Sequence, residues 1–371
     1  MLSRLPERAR SLPTIGARAF DGLAVASLVL VSLLVLTGGA VRLTGSGLGC
    51  SDWPTCSRGH LTPAVQYHAV IEFGNRMVTV ALVVLVAATF LAAVRRRPFR
   101  RDLVWLSAGL VAGILAEAVV GGIVVYTKLN PYLVMLHFMT TLGLLAVAVI
   151  LAHRARREYG TGSGRLLVPR PMLHLGRGLV LLLTVVMLAG SATTGAAPDA
   201  GGAQGQLVAR RIPVALRDMA ELHSSLALLL VGVALALAVA LHSMDVPERV
   251  RRSSRLLVVV LAGQAAVGYV QYFTHLPAVV VEVHELGAAV LVIAVLELFL
   301  SLTHHRAEAG VPAATGRAAW PVRAARAGRA GELAGAGAGD LAGAGVGELA
   351  GAGAGAGELA GAGAGDPETT W

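Results

Sequence analysis

Charge is scarce in this chain. Asp, Glu, Lys and Arg make up only 14% of its 371 residues, against about 25% in soluble proteins. That is too little to solvate an ordinary soluble enzyme. Cysteine is scarcer still: two residues cannot supply the framework of a disulfide-dense secreted scaffold. A chain disordered throughout is excluded as well, because 55% of the residues are hydrophobic. What is present is apolar, with 45 glycines besides and a mean hydropathy of +0.69. The remaining class is a polytopic helical membrane protein.

A span needs about 20 apolar residues. Eight runs qualify: 21–43, 68–94, 103–126, 131–153, 178–197, 218–242, 255–275 and 278–302. Arg4, Arg8, Arg10 and Arg18 precede the first. It lacks a small-residue cleavage site and reads as a retained span rather than a signal peptide. The N-terminus and loops 95–102, 154–177 and 249–255 hold nineteen Lys and Arg, against five in the alternate loops. By the positive-inside rule both termini are cytoplasmic, in a cell (plasma) membrane. The basic charge, formally +9, is therefore a topology signal. Nucleic-acid binding is not expected, since no soluble domain presents a basic face.

The spans form two sets of four. Placing Gly121 on Gly268, an offset of 147, brings Glu117 onto Gln264, Val125 onto Tyr272, Thr127 onto Thr274 and His137 onto His284. Glu72-x-x-Asn75 falls close to Glu221-x-His223. Each set crosses an even number of times, so the sets are expected to be related by a pseudo-two-fold axis along the membrane normal. The expected fold is all-α, eight transmembrane helices in two four-helix bundles. The expected organisation is a cytoplasmic N-terminus at 1–20, a first bundle at 21–153, a cytoplasmic linker at 154–177, a second bundle at 178–305 and a tail at 306–371. The tail repeats an acidic residue followed by Leu-Ala-Gly-Ala-Gly and is expected to be disordered.

Ionisable groups inside spans cost at least about 2.5–3.5 kcal/mol at a helix centre and need a reason. They are Glu72, Arg76, Glu117, His137, Glu221, His223, Glu282, His284, Glu285 and Glu297. His223 and His284 lie at equal depth on different spans of one bundle, an arrangement that can hold a haem iron from both sides. A pair of satisfied core histidines is the plainer alternative. His137 repeats the position of His284, whereas Asn75, a poor iron ligand, stands where His223 stands. One bundle then suits a closed electron-transfer haem, and the other a substrate that comes and goes. Glu72 shares a helix face with Asn75 and Arg76. It could accept a proton, stabilise a developing cation, or merely pair with Arg76. Glu221 and Glu285 could orient the haem histidines or simply line the pockets. Cys50 and Cys56 fall on the outer side, where a disulfide persists. A structural staple and a reducible redox pair are both open there, the staple being the commoner use.

These residues resemble a known family. Gly38-Gly39-Ala40-Val41-Arg42-Leu43-Thr44-Gly45-Ser46-Gly47-Leu48-Gly49-Cys50-Ser51-Asp52-Trp53-Pro54-Thr55-Cys56 is similar to the first-loop signature of haem A synthase. Ile71-Glu72-Phe73-Gly74-Asn75-Arg76 resembles its Glu-x-x-His-Arg motif, of an actinobacterial-like type with Asn in place of His. The resemblance covers about residues 20–305. It implies an oxidoreductase that converts the C8 methyl of haem O to a formyl group, with oxygen from water, giving haem A for cytochrome c oxidase. It implies haem b as cofactor, with His223 and His284 as axial ligands. It also implies Glu72 as the catalytic carboxylate and a substrate-haem site at His137, Asn75 and Arg76. His137 is then the one substrate-iron ligand, because His68 lies seven residues from Asn75, about 10 Å along the axis. The implied partners are haem O, haem O synthase, a quinone or other membrane electron acceptor, and the lipid bilayer. The rival readings are a haem b quinone oxidoreductase and a haem carrier, neither of which alters haem.

Overall fold

The computed structural model describes residues 14–57, 59–63, 65–156, 165–197, 203–204, 207–208 and 210–304. Among them are eight long helices: α1 (Ala17–Leu43), α2 (Tyr67–Arg95), α3 (Arg101–Tyr126), α4 (Pro131–Ala155), α5 (Arg170–Ala196), α6 (Leu216–Ser243), α7 (Glu248–Phe273) and α8 (Ala278–Ser301). Each is long and apolar enough to cross a membrane. Helices of 24 to 29 residues span about 36–44 Å at 1.5 Å per residue, more than the roughly 30 Å of hydrocarbon. In lipid every backbone polar group must bond internally, which leaves helix as the solution for isolated spans. Span hydroxyls obey the same rule: Ser27, Ser32, Thr89 and Ser107 each donate to the carbonyl four residues back. The other regular structure is minor, two antiparallel two-residue ladders: β1 (Arg165–Leu166) with β4 (Thr303–His304), and β2 (Ala203–Gln204) with β3 (Leu207–Val208).

Two boundaries differ from the apolar runs by about two turns, the rest by four residues or fewer. α5 begins at Arg170 and α7 at Glu248, eight and seven residues before the runs expected to start at 178 and 255. An apolar run stops where charge begins. A helix continues, because its hydrogen bonds do not depend on side-chain polarity and Arg stems can lie along it with their heads in the interface. Arg170, Arg177, Arg249, Arg251, Arg252 and Arg255 are therefore helical rather than loop residues. The tail beyond 304 lies outside the described residues.

Neighbours along the chain pack together: α1 with α2, α2 with α3, α3 with α4, and α4 back onto α1. α5, α6, α7 and α8 form a second ring of the same order. The rings meet through α1, α4, α5 and α8. Lipid supplies little hydrophobic drive between helices, so close fit and polar contacts do the joining. Ser27 and Thr89 hydroxyls meet at 3.1 Å between α1 and α2. A Cβ on Gly113 would stand 2.7 Å from Leu144. Between the rings, His153 Nδ1 lies 2.7 Å from Glu297 Oε2.

The arginine-rich segments gather at one end. Ile15 N–H donates to Arg95 O and Arg97 N–H to Ile15 O. Arg100 donates to Arg154 O at 2.8 Å. The four even-numbered helices begin at the opposite end, and there the sequence duplication becomes structural. After α3, the N–H groups of Thr127, Lys128 and Leu129 donate to the carbonyls of Ile123, Val125 and Val124. After α7, those of Thr274, His275 and Leu276 donate to Val270, Tyr272 and Gln271. Every member is displaced by 147 residues. Lys128 and Leu129, like His275 and Leu276, have φ between 53° and 63°, the left-handed conformation that turns the chain sharply.

Candidate functional site

His137, His223 and His284 are the seventh, eighth and seventh residues of α4, α6 and α8, and Glu72 and Asn75 the sixth and ninth of α2. All five lie about 8–12 Å along their helices from the same end. Each histidine rests on a glycine of the preceding helix. A Cβ on Gly121 would stand 3.4 Å from the His137 ring, on Gly268 3.3 Å from His284, and on Gly190 2.9 Å from His223. Larger residues there would push the imidazoles away.

In the second half, His223 and His284 face each other with ring centroids 6.4 Å apart. His223 Nδ1 meets Val186 O at 3.1 Å, which fixes the ring and leaves Nε2 free. The Nδ1 of His284 is buried without a hydrogen-bond partner. Of the two roles open to Glu221 and Glu285, orienting the rings or lining the pockets, the first finds no contact: their partners include neither ring. Glu221 pairs with Arg217 at 2.9 Å on an exposed face. Glu285 pairs with Arg42 of α1 at 3.1 Å, and Arg42 also donates to Thr194 O. Gly39 allows this approach, since a Cβ there would meet the carboxylates of Glu282 and Glu285.

The first half is built around the first loop. Cys50 and Cys56 form a disulfide with Cα atoms 4.4 Å apart. Glu72, 5% exposed, accepts the Cys50 N–H on Oε2 at 2.7 Å and an Arg76 N–H on Oε1 at 2.6 Å. Arg76 also donates to Asp52 O and Thr55 O, each at 2.9 Å. The intrahelical Glu72–Arg76 pair therefore exists, and it serves to lock the loop onto α2. Trp53 lies on Gly122, whose Cβ would come within 2.9 Å of the indole, and Tyr126 donates its hydroxyl to Trp53 O at 2.6 Å.

Asn75 is tied to α1, accepting the Thr37 hydroxyl at 2.7 Å. His68 is turned to the loop, with Nδ1 3.0 Å from Ser46 Oγ. His137 Nδ1 lies 2.6 Å from Glu117 Oε2. In the sequence Glu117 stands out only as a costly group within a span that aligns with Gln264. It sits one helical turn before Gly121, the glycine under His137, and a carboxylate on that face of α3 is the signal that could have tied it to the ring. Chemically, the first half offers one anchored imidazole and a buried carboxylate, and the second half two facing imidazoles.

The chain matches the COX15-CtaA family, described as cytochrome oxidase assembly protein, over residues 21–69 and 62–296. A heme A synthase of Geobacillus thermodenitrificans is 35% identical over 140 residues, 36% of this chain and 43% of that protein. One from Geobacillus kaustophilus is 37% identical over 132 residues, 34% of this chain and 40% of that protein. The chain thus spans about two fifths of the length of these relatives. A protoheme IX farnesyltransferase of Haloquadratum walsbyi is 29% identical over 157 residues, 42% of this chain and 32% of that protein.

Proposed function

We propose, since this chain belongs to the COX15-CtaA family of cytochrome oxidase assembly proteins, that it is a haem A synthase of the cell membrane with both termini cytoplasmic. Its two bundles, related by a pseudo-two-fold axis along the membrane normal, carry different sites. Residues 21–153 hold the substrate and 178–305 the cofactor. The carrying observation is the asymmetry of the two halves at one depth: facing His223 and His284 against a single His137, paired with Glu117, in the half that also buries Glu72.

The cofactor is haem b, held by His223 and His284. The residues fit it. Two imidazoles with ring centroids 6.4 Å apart, His223 held through Nδ1 by Val186 O, are a donor set that would hold a haem iron. When bound, haem b supplies one-electron transfer toward a quinone or another membrane acceptor. Haem O is the substrate, its iron on His137 with Asn75 and Arg76 beside it. Haem O synthase, the farnesylating enzyme, is the supplier.

Each of two steps takes two electrons and one proton from the C8 methyl carbon and a second proton from the water that adds there, the electrons leaving to the membrane acceptor. The hydrated product loses water to leave the formyl group. Glu72 is held by Cys50 N–H and Arg76. Its remaining lone pairs can take a proton or face positive charge developing at the methyl carbon. The loop around Cys50–Cys56 excludes water above it.

The test is Glu72→Gln in the full chain expressed with a haem O source. Formyl haem in the extract is expected to vanish while the haem b spectrum persists. Loss of haem b together with activity would place Glu72 in the scaffold, and undiminished formyl production would remove it from the mechanism.

A further inference from the structure

We infer that Glu117 is the positioning residue of the first-half site: it holds His137 by Nδ1 so that Nε2 meets the substrate iron as a strongly donating ligand. This rests on the reading of His137 as that ligand.

Glu117 is 3% exposed and is the one acidic residue between Leu103 and Tyr126. A carboxylate sunk in an apolar span needs a partner; Oε2 lies 2.6 Å from His137 Nδ1, a close contact short of aligned hydrogen-bond geometry in which neither atom has another hydrogen-bond partner. One turn further on, Gly121 gives the ring a flat floor, with its absent Cβ 3.4 Å from Cε1 and 3.6 Å from Nε2. Anchor and floor come from the same face of α3, so ring position and tautomer are set together. A carboxylate is acceptor-only. At 2.6 Å it favours the tautomer that carries the ring proton on Nδ1 and leaves Nε2 as the lone-pair nitrogen. The same contact raises the basicity of that nitrogen toward a metal.

The duplication provides an internal control. Gln264 occupies the equivalent place, yet its amide donates to the backbone carbonyl of His284 at 2.8 Å and leaves the ring alone. A site with two axial histidines does not depend on one anchored ring. A site with one does, because all protein donation to that iron comes through it.

The experiment uses the purified full chain, wild type and the variants Glu117→Gln and Glu117→Ala, titrated with ferrous haem O. Affinity, the resonance Raman iron–histidine stretching band and the haem b absorption spectrum are read together. Glu117→Ala is expected to weaken haem O binding by about 10–100-fold with haem b intact. Glu117→Gln is expected to retain most of the affinity but shift the iron–histidine band to lower frequency and lower kcat. Wild-type affinity and band position in both variants would overturn the inference, as would loss of haem b in both. An iron–histidine band that persists unchanged in His137→Ala would instead remove the underlying site assignment, and this inference with it.

Discussion

In the first half of the molecule a histidine lies on a glycine and is anchored by a carboxylate, under a loop pinned to a second buried carboxylate. In the second half two histidines lie on glycines and face each other. The halves share the helix hairpin, its left-handed turn and the glycine floor down to individual hydrogen bonds. They differ at single side chains: Glu117 against Gln264, and Asn75 near the place of His223. Duplicated backbone geometry thus places an imidazole at a chosen depth, while neighbouring side chains decide whether that depth carries two facing imidazoles or one.

The largest effect that could break this comparison comes from removing both second-half histidines. The double variant His223→Ala, His284→Ala is expected to purify with essentially no resident haem b, whereas His137→Ala keeps it and loses haem O conversion. Haem stoichiometry by pyridine haemochrome decides, and retention of haem b in the double variant would dissolve the asymmetry. Next comes Asn75→His, which makes the first site resemble the second. Bound haem O should shift toward a low-spin, six-coordinate spectrum and turn over more slowly, at the cost of the Thr37 hydrogen bond. A spectrum unchanged by this substitution would mean that residue 75 does not face the iron.

The glycine floors grade the comparison further. A methyl group on Gly190 would intrude to 2.9 Å of His223, one on Gly121 only to 3.4 Å of His137. Overpacking costs about 1–3 kcal/mol, on the order of tenfold to a hundredfold in affinity. Gly190→Ala is therefore expected to lower haem b occupancy clearly, and Gly121→Ala to change haem O affinity by only a few-fold, both read by titration.

Much of this arrangement was legible before any coordinates. Apolar runs marked the eight helices because lipid admits few other structures. The 147-residue offset aligned His137 with His284, and the same offset reappears in hydrogen bonds of the turn. The starts of α5 and α7 were not legible, since arginine-bearing helix at the interface carries no hydropathy signal. Contacts between helices distant in sequence were also hidden. Arg42 meeting Glu285 across 243 residues depends on lateral packing that a one-dimensional pattern does not encode. Whether Glu285 orients His284 or lines the pocket is open in the sequence for the same reason: neighbours on a helix point about 100° apart, and here Glu285 meets Arg42 instead.

The remaining predictions act on the first half alone, through its loop. Replacing Cys50 and Cys56 with Ser opens a covalent loop worth about 2 kcal/mol in the chain-entropy view. Four other ties still hold the segment: Cys50 N–H to Glu72, the two Arg76 bonds, and Tyr126 to Trp53. Formyl production is expected to fall while haem b content stays constant. The smallest effect belongs to Tyr126→Phe, which deletes one exposed tie at a net cost of about 0.5–1.5 kcal/mol. It leaves Glu72, His137 and the ring of Trp53 on Gly122 in place. A rise in KM for haem O with kcat nearly unchanged is the expected kinetic signature, because loosening the loop weakens enclosure without altering the reacting groups. If Tyr126→Phe instead lowered kcat as far as Glu72→Gln does, closure of the loop, and not the carboxylate beneath it, would be what sets the first half apart from the second.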